Sequence, residues 1–281
     1  MADRLFHKIW WGWDGPTTVS GFPGGTGRGS LSPMARNDGT LWEGLALRRT
    51  RAGADPDAAP RAVALPAAWE EEAATALAAL APGQGPVSLR RLAEGWISRA
   101  LSRGEKAGVV EAEEARALAE GWRALLLTRR GAPSAESWRG EVRGEPRFVL
   151  HLPAFLEPEG GFDLEGYTEA CALGLRFLDA STGGKSLKLR LGFADLAGLL
   201  AGLGLPYDSA GARQVAAAIA AITRGAAEAE SGRLAQRLGA REPVALIWPE
   251  PPAETPVPGL AAAARAALDA AMGAPGLRHA R

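Results

Sequence analysis

The stretch Leu191-Gly-Phe-Ala-Asp-Leu-Ala-Gly-Leu-Leu-Ala-Gly-Leu-Gly-Leu-Pro-Tyr-Asp-Ser209 decides the fold. Gly192, Gly198 and Gly202 sit among leucines, and a residue without a Cβ lets another backbone pack close. Leucines recur with helical spacing from about Leu189 to Leu203, which predicts a helix that Gly204 and Pro206 break. Leu205 to Ser209 then combines a helix stop, an aromatic expected to be buried (Tyr207) and a helix start. Asp208 or Ser209 offers the oxygen that caps a long helix running to about Leu238. The segment reads as a buried helix-turn-helix, and it sets the fold class: mainly α.

Upstream, the same periodicity recurs. Trp69, Ala73, Leu77 and Leu80 share one helical face, and Glu70, Glu71 and Glu72 lie in its first turn, where the helix dipole favours carboxylates. Pro82, Gly83 and Gly85 end it. Ser88 caps a second helix with Leu92, Trp96 and Leu101 on its apolar face, and a third covers about 111–130 with Leu118, Trp122, Leu125 and Leu126 inward. Before them, Leu41, Leu45, Leu47, Val63 and Leu65 alternate loosely around a Pro/Asp/Ala-rich loop at 53–60, which predicts one or two short strands. After them come a loop at 131–146, a strand at Phe148–Leu152 stopped by Pro153, and a helix capped by Asp163 that runs to about Leu178. Six prolines make 243–259 an extended linker outside the core, and an Ala-rich helix follows at about 260–272. The expected organisation is a tail at 1–40, a helical region at 41–140, a strand plus helices at 141–242, and a linker with a terminal helix at 243–281.

Composition narrows the function classes. The chain has 281 residues, 47% of them hydrophobic, enough for a real core. Thirty-two basic and 32 acidic side chains cancel, so no long-range field draws it to nucleic acid or an anionic membrane. No apolar run is long enough to span a bilayer and no apolar signal core is visible, so the cytoplasm is the expected location. There is one cysteine, Cys171, and the three histidines (His7, His151, His279) are far apart, so no zinc spacing exists. Residues 1–40 differ from the rest. Trp10, Trp11 and Trp13 precede five glycines between 21 and 29, which suits either a docking tail whose tryptophans contact a partner protein or a leader with Met34 as the true start.

Other candidate sites have ordinary explanations. Asp179-Ala-Ser-Thr-Gly-Gly-Lys-Ser186 resembles a phosphate-binding loop but opens on an anion rather than glycine, and it follows a helix rather than a strand. Asp163, Glu165 and Glu169 fit the first turns of a helix as well as an acid–base pair. Arg48-Arg49, Arg90-Arg91 and Arg129-Arg130 suit nucleotide phosphates, or solvated faces and helix ends. His151 is expected to be a satisfied, half-buried residue. No Ser-His-Asp or Cys-His arrangement follows from spacing.

The 191–209 segment and the small-residue helix after it, with Ala216-Ala-Ala-Ile-Ala-Ala-Ile-Thr-Arg-Gly225 and Ser231-Gly-Arg-Leu-Ala235, resemble a segment of the large subunit of ribonucleotide reductases, in particular the adenosylcobalamin (vitamin B12)-dependent kind. Leu150-His-Leu-Pro-Ala-Phe-Leu156 with Gly161-Phe-Asp163 is similar to that family's strand, turn and helix after its second redox cysteine. Val63-Ala-Leu-Pro-Ala-Ala-Trp69, and the helices as far as Arg130-Gly-Ala-Pro-Ser134, are similar to its N-terminal helical region. The likeness covers residues 60–240.

The resemblance also shows what is missing. That family forms a thiyl radical on a cysteine in an Asn-x-Cys-x-Glu motif and oxidises two further cysteines, whereas Cys171 stands alone in Glu169-Ala-Cys-Ala-Leu-Gly174. The family's ribose-binding serine falls at Ala135, in Pro133-Ser-Ala-Glu136. The ten-stranded barrel, the effector-binding part and the cysteine-bearing tail have no counterpart, so a complete barrel is not expected. The resemblance therefore implies a catalytically silent, reductase-like protein that acts by binding a partner protein, a nucleotide or cobalamin. No catalytic residue is expected, and adenosylcobalamin is expected only if the family function is retained. One alternative is a fragment or subunit of a B12-dependent ribonucleoside-diphosphate reductase in DNA precursor synthesis, with its thiols supplied by another chain. The other is a structural accessory subunit of a larger complex.

Overall fold

A computed structural model describes residues 40–55, 57–141, 145–244 and 250–279. The chain is mainly α with a few short strands. Strands β1 (Leu47–Ala52) and β2 (Arg61–Pro66) form an antiparallel hairpin, with Leu47 opposite Pro66. Helix α1 (Glu71–Leu80) leads to a two-residue strand β3 (Val87–Ser88) that lies parallel to β2. Helices α2 (Leu89–Lys106) and α3 (Ala112–Leu127) follow, and the Ser88 side chain accepts from the Arg91 amide as the sequence predicts.

The second sheet is built around a crossover. Strand β4 (Gly131–Pro133) and a short helix α4 (Ala135–Arg139) occupy the expected 131–146 loop. Strand β5 (Arg147–His151) pairs antiparallel with β4 and passes through a 3-10 turn (Leu152–Phe155) into helix α5 (Leu164–Thr182). Asp163 caps α5 by accepting from the Gly166 amide. Strand β6 (Arg190–Ala194) then returns parallel to β5, so β5–α5–β6 is a strand–helix–strand unit with α5 against the sheet. Helices α6 (Leu196–Gly202), α7 (Ala210–Leu238) and α8 (Leu260–Met272) complete the chain. Among the described residues there are two three-stranded sheets and no closed barrel.

One hydrophobic core runs from Trp42 to Ala264. Its centre is aromatic. Phe177 of α5 meets Trp96 of α2 and Trp122 of α3 edge to face, with ring centroids 5.2 and 5.4 Å apart, and Trp138 of α4 meets Trp96 at 5.9 Å. Such pairs add about 0.5–1.5 kcal/mol each beyond the area they bury.

The deciding stretch differs from its sequence reading in three ways. Residues 190–194 are strand rather than helix, because Asp195 takes a left-handed conformation (φ 61°) and caps α6 by accepting from the Gly198 amide at 2.8 Å. That cap fixes the helix start at Leu196, seven residues later than the leucine spacing suggests. Tyr207 is 68% exposed. It sits in the turn closed by the Ser209 amide on the Pro206 carbonyl, while Leu199 and Leu200 carry the burial. Finally, the close backbone approach falls on α7, not on 192–202. A Cβ at Gly225 would lie 2.6 Å from the Ala267 carbonyl group of α8, whereas nothing lies within 4 Å of one at Gly192.

The proline-rich stretch is also corrected where it is described. Val257 is buried in the core, Pro251 is buried, and Pro256 lies against Gly211. Prolines bring no backbone donor to satisfy, so an extended segment can pack through side chains alone. The α8 that follows matches its expected bounds and lies along α7. Trp10, Trp11, Trp13 and His7 lie outside the described residues.

Candidate functional site

The two parallel strands start together. Arg147 opens β5, Arg190 opens β6, and the two are register partners, so their side chains leave the same face of the sheet at the same end. They line a cleft of about 370 Å³ together with Ser134, Glu136, Ser137, Glu145 and Pro146. The Arg190 amide donates to the Pro146 carbonyl at 3.1 Å, and its Nε donates to Glu145 Oε2 at 2.6 Å. The Ser134 amide donates to the Arg147 carbonyl at 3.0 Å, which ties α4 to β5.

Helix α4 forms the opposite wall. Trp138 anchors it, with its indole N–H on the Pro133 carbonyl at 3.0 Å and its ring against Trp96. Arg99 of α2 holds the Ser137 carbonyl at 3.0 Å. The Ser134 hydroxyl bonds the Glu136 carboxylate and holds it below the usual carboxylate range, and Arg147 and Arg139 add to that effect against the cost of burial. Ser137 is buried, and its Oγ has no hydrogen-bond partner among the described residues. A buried hydroxyl without a partner costs about 1–3 kcal/mol. The oxygen itself is shut off from solvent, so a shift of α4 would be needed to bring it to a ligand in the cleft. The cleft thus sets the guanidinium groups of Arg147 and Arg190, suited to phosphate oxygens, opposite a wall whose Glu136 carboxylate is suited to sugar hydroxyls.

The other end of the same strands carries His151. It is buried, its Nε2 is 3.5 Å from Asp195 Oδ2, and burial pushes its pKa down to about 4 despite that carboxylate. Arg129, the neighbouring cation, stacks on Trp69 and pairs with Glu70. Arg129 and Asp195 are the two non-glycine residues with positive φ among those described, and both adjoin His151. The sequence reading of a half-buried histidine is corrected: His151 is fully buried, held against the Asp195 carboxylate.

A Ser-His-Asp constellation exists that spacing did not reveal. Ser231 Oγ is 3.1 Å from His279 Nδ1, and His279 Nε2 is 3.0 Å from Asp179 Oδ1. All three are buried, and Ser231 Oγ already accepts from the amides of Arg278 and His279 at 3.0 and 3.1 Å. A hydroxyl saturated in this way, with no opening for substrate, is structural rather than nucleophilic. No sequence signal could reveal it, since the serine and the histidine lie 48 positions apart and the aspartate 100 from the histidine.

The remaining candidates resolve into structure. The phosphate-loop look-alike is the last turn of α5 and its exit, with Asp179 buried and turned to His279. Asp163 caps α5 and pairs with Arg130 at 2.7 Å, while Glu169 is pushed up by burial and by Glu165 and Asp163. Arg48 pairs with Glu71 at 2.6 Å. Cys171 is wholly buried in α5 beside Tyr167 and Thr223, and burial pushes its thiol well above the ordinary range. The reductase reaction that adenosylcobalamin serves needs a reachable thiol, and Cys171 is shut in the core. Among the described residues no helix is long and apolar enough to cross a membrane, and no His/Cys/Asp/Glu cluster could hold a metal ion.

No family model and no curated protein matches the chain.

Proposed function

We propose that this chain is a non-catalytic, ribonucleotide reductase-like protein of the cytoplasm that works by binding, and that the cleft between α4 and the starts of β5 and β6 takes a nucleotide. The observation that carries the reading is the pairing of Arg147 and Arg190 across the parallel strands, opposite the Glu136 carboxylate. Two guanidinium groups suit a phosphate, and Glu136 suits a ribose. The reductase-like position of the missing ribose-binding serine, Ala135, adjoins this wall. The buried Cys171 supports binding without reduction, because a thiol that neither ionises nor meets solvent cannot enter redox exchange. Trp10, Trp11 and Trp13 belong to the same proposal as contacts to a partner protein. Equilibrium dialysis of the full chain against labelled CDP tests it. Retention that falls when Arg147 or Arg190 is replaced by alanine supports the reading, and no retention rejects it.

A further inference from the structure

The buried Ser231–His279–Asp179 chain joins three parts of the molecule. Ser231 is on α7, Asp179 is in the last turn of α5, and His279 ends the segment 274–279 after α8. That segment is fastened along its length. Leu277 exchanges backbone hydrogen bonds with Glu242 at 2.8 and 3.1 Å, and Arg278 Nη1 donates to the Leu238 carbonyl at 3.2 Å. Because the Ser231 oxygen accepts two amides, its proton goes to His279 Nδ1, and the ring N–H at Nε2 goes to Asp179.

What lies beyond Asp179 gives this arrangement a consequence. The Asp179 carbonyl accepts from Gly184 at 2.9 Å, and Gly183 and Gly184 both turn left-handed (φ 59° and 65°). Gly184 is buried against Val109 and Arg278, with a Cβ there 3.3 Å from Arg278 Nη2. The short connector 185–189, in which the Ser186 hydroxyl donates to the Lys188 carbonyl at 2.7 Å and Lys188 makes a single bridge, leads into Arg190 on the cleft.

We propose that segment 274–279 is a latch on the cleft. Docked, it holds Asp179 and Gly184, and through them the connector that sets Arg190. Released, it frees the connector that leads into Arg190, while Arg190 keeps its strand pairing and the helical body stays folded. Asp179 is a positioning residue in this device, acting through the connector. The effect on ligand rests on the nucleotide reading above. The effect on the connector does not.

Two readouts on the full chain separate these. Hydrogen exchange is followed at 183–189, and CDP binding is titrated, in wild type, Asp179→Ala and Asp179→Asn. The Asn keeps an oxygen for the imidazole N–H. Faster exchange at 183–189 in Asp179→Ala, with α2 and α3 unchanged, about tenfold weaker CDP binding, and recovery of both in Asp179→Asn support the latch. Unchanged exchange at 183–189, or a rise shared by α2 and α3, overturns it. If wild type does not bind CDP, the nucleotide reading fails and the exchange pattern alone decides the latch. Ser231→Ala, which removes the same chain from its other end, replaces Asp179→Ala if that variant does not fold.

Discussion

His279 Nε2 lies 3.0 Å from Asp179 Oδ1, both side chains buried, with 100 positions of chain between them. Removing the imidazole by His279→Ala strands the Asp179 carboxylate and the Ser231 hydroxyl in a dry site. A buried group left unsatisfied costs about 1–3 kcal/mol, more when it is charged. The melting temperature should fall by roughly 2–12 °C, taking 2–4 °C per kcal/mol for a domain of this size. An unchanged melting temperature would show that the segment does not dock.

Stability should also depend on pH through His151. Its pKa falls from 6.5 to about 4 on folding because burial disfavours the cation. Between those values the unfolded chain binds more protons than the native one, so stability is lost as pH drops through that window and is fully present above it. The full difference amounts to about 3 kcal/mol at 1.36 kcal/mol per pH unit. Denaturant midpoints of wild type and His151→Gln, compared at pH 7.5 and pH 4.5, check this. The wild type should lose more on acidification than the variant, and equal losses would contradict it.

Two substitutions on the reductase-like segment should behave oppositely. Gly225→Ala places a methyl 2.6 Å from the Ala267 carbonyl group and should cost about 1–3 kcal/mol through overpacking. Tyr207→Ala removes an exposed ring and should stay within about 0.5 kcal/mol. Thermal denaturation of both variants ranks them. A large loss at Tyr207 would mean that the 205–209 turn packs inward.

Cys171 should be inert in the native state. A thiol-specific reagent should leave it untouched until denaturant exposes it, and the chain should convert no ribonucleotide to deoxyribonucleotide with adenosylcobalamin and a dithiol. Labelling of the native protein at the rate of a free thiol, or turnover that survives Cys171→Ala, would contradict the burial and the non-catalytic reading.

The sequence carried the helices well and the site poorly. Ser88, Asp163 and Ser209 are capping residues whose chemistry is local, so their helix starts were legible. Strand β6 was not, because its leucine-rich continuation into α6 imitates one long helix and only the left-handed Asp195 divides them. Tyr207 was misplaced because an aromatic after proline says nothing about which way a turn projects. The cleft was hidden for a related reason. Arg147 and Arg190 are 43 positions apart, and only the parallel pairing across α5 brings them side by side.

The most direct test is calorimetric titration of CDP into the full chain, set beside Arg147→Ala, Arg190→Ala and Ser137→Ala. The account predicts saturable one-to-one binding by the wild type. Each arginine variant should weaken it by about tenfold, the scale of one charge-assisted contact, and Ser137→Ala should weaken it less. Absence of wild-type binding, or equal affinity in all four proteins, would contradict the claim that this cleft is a nucleotide site.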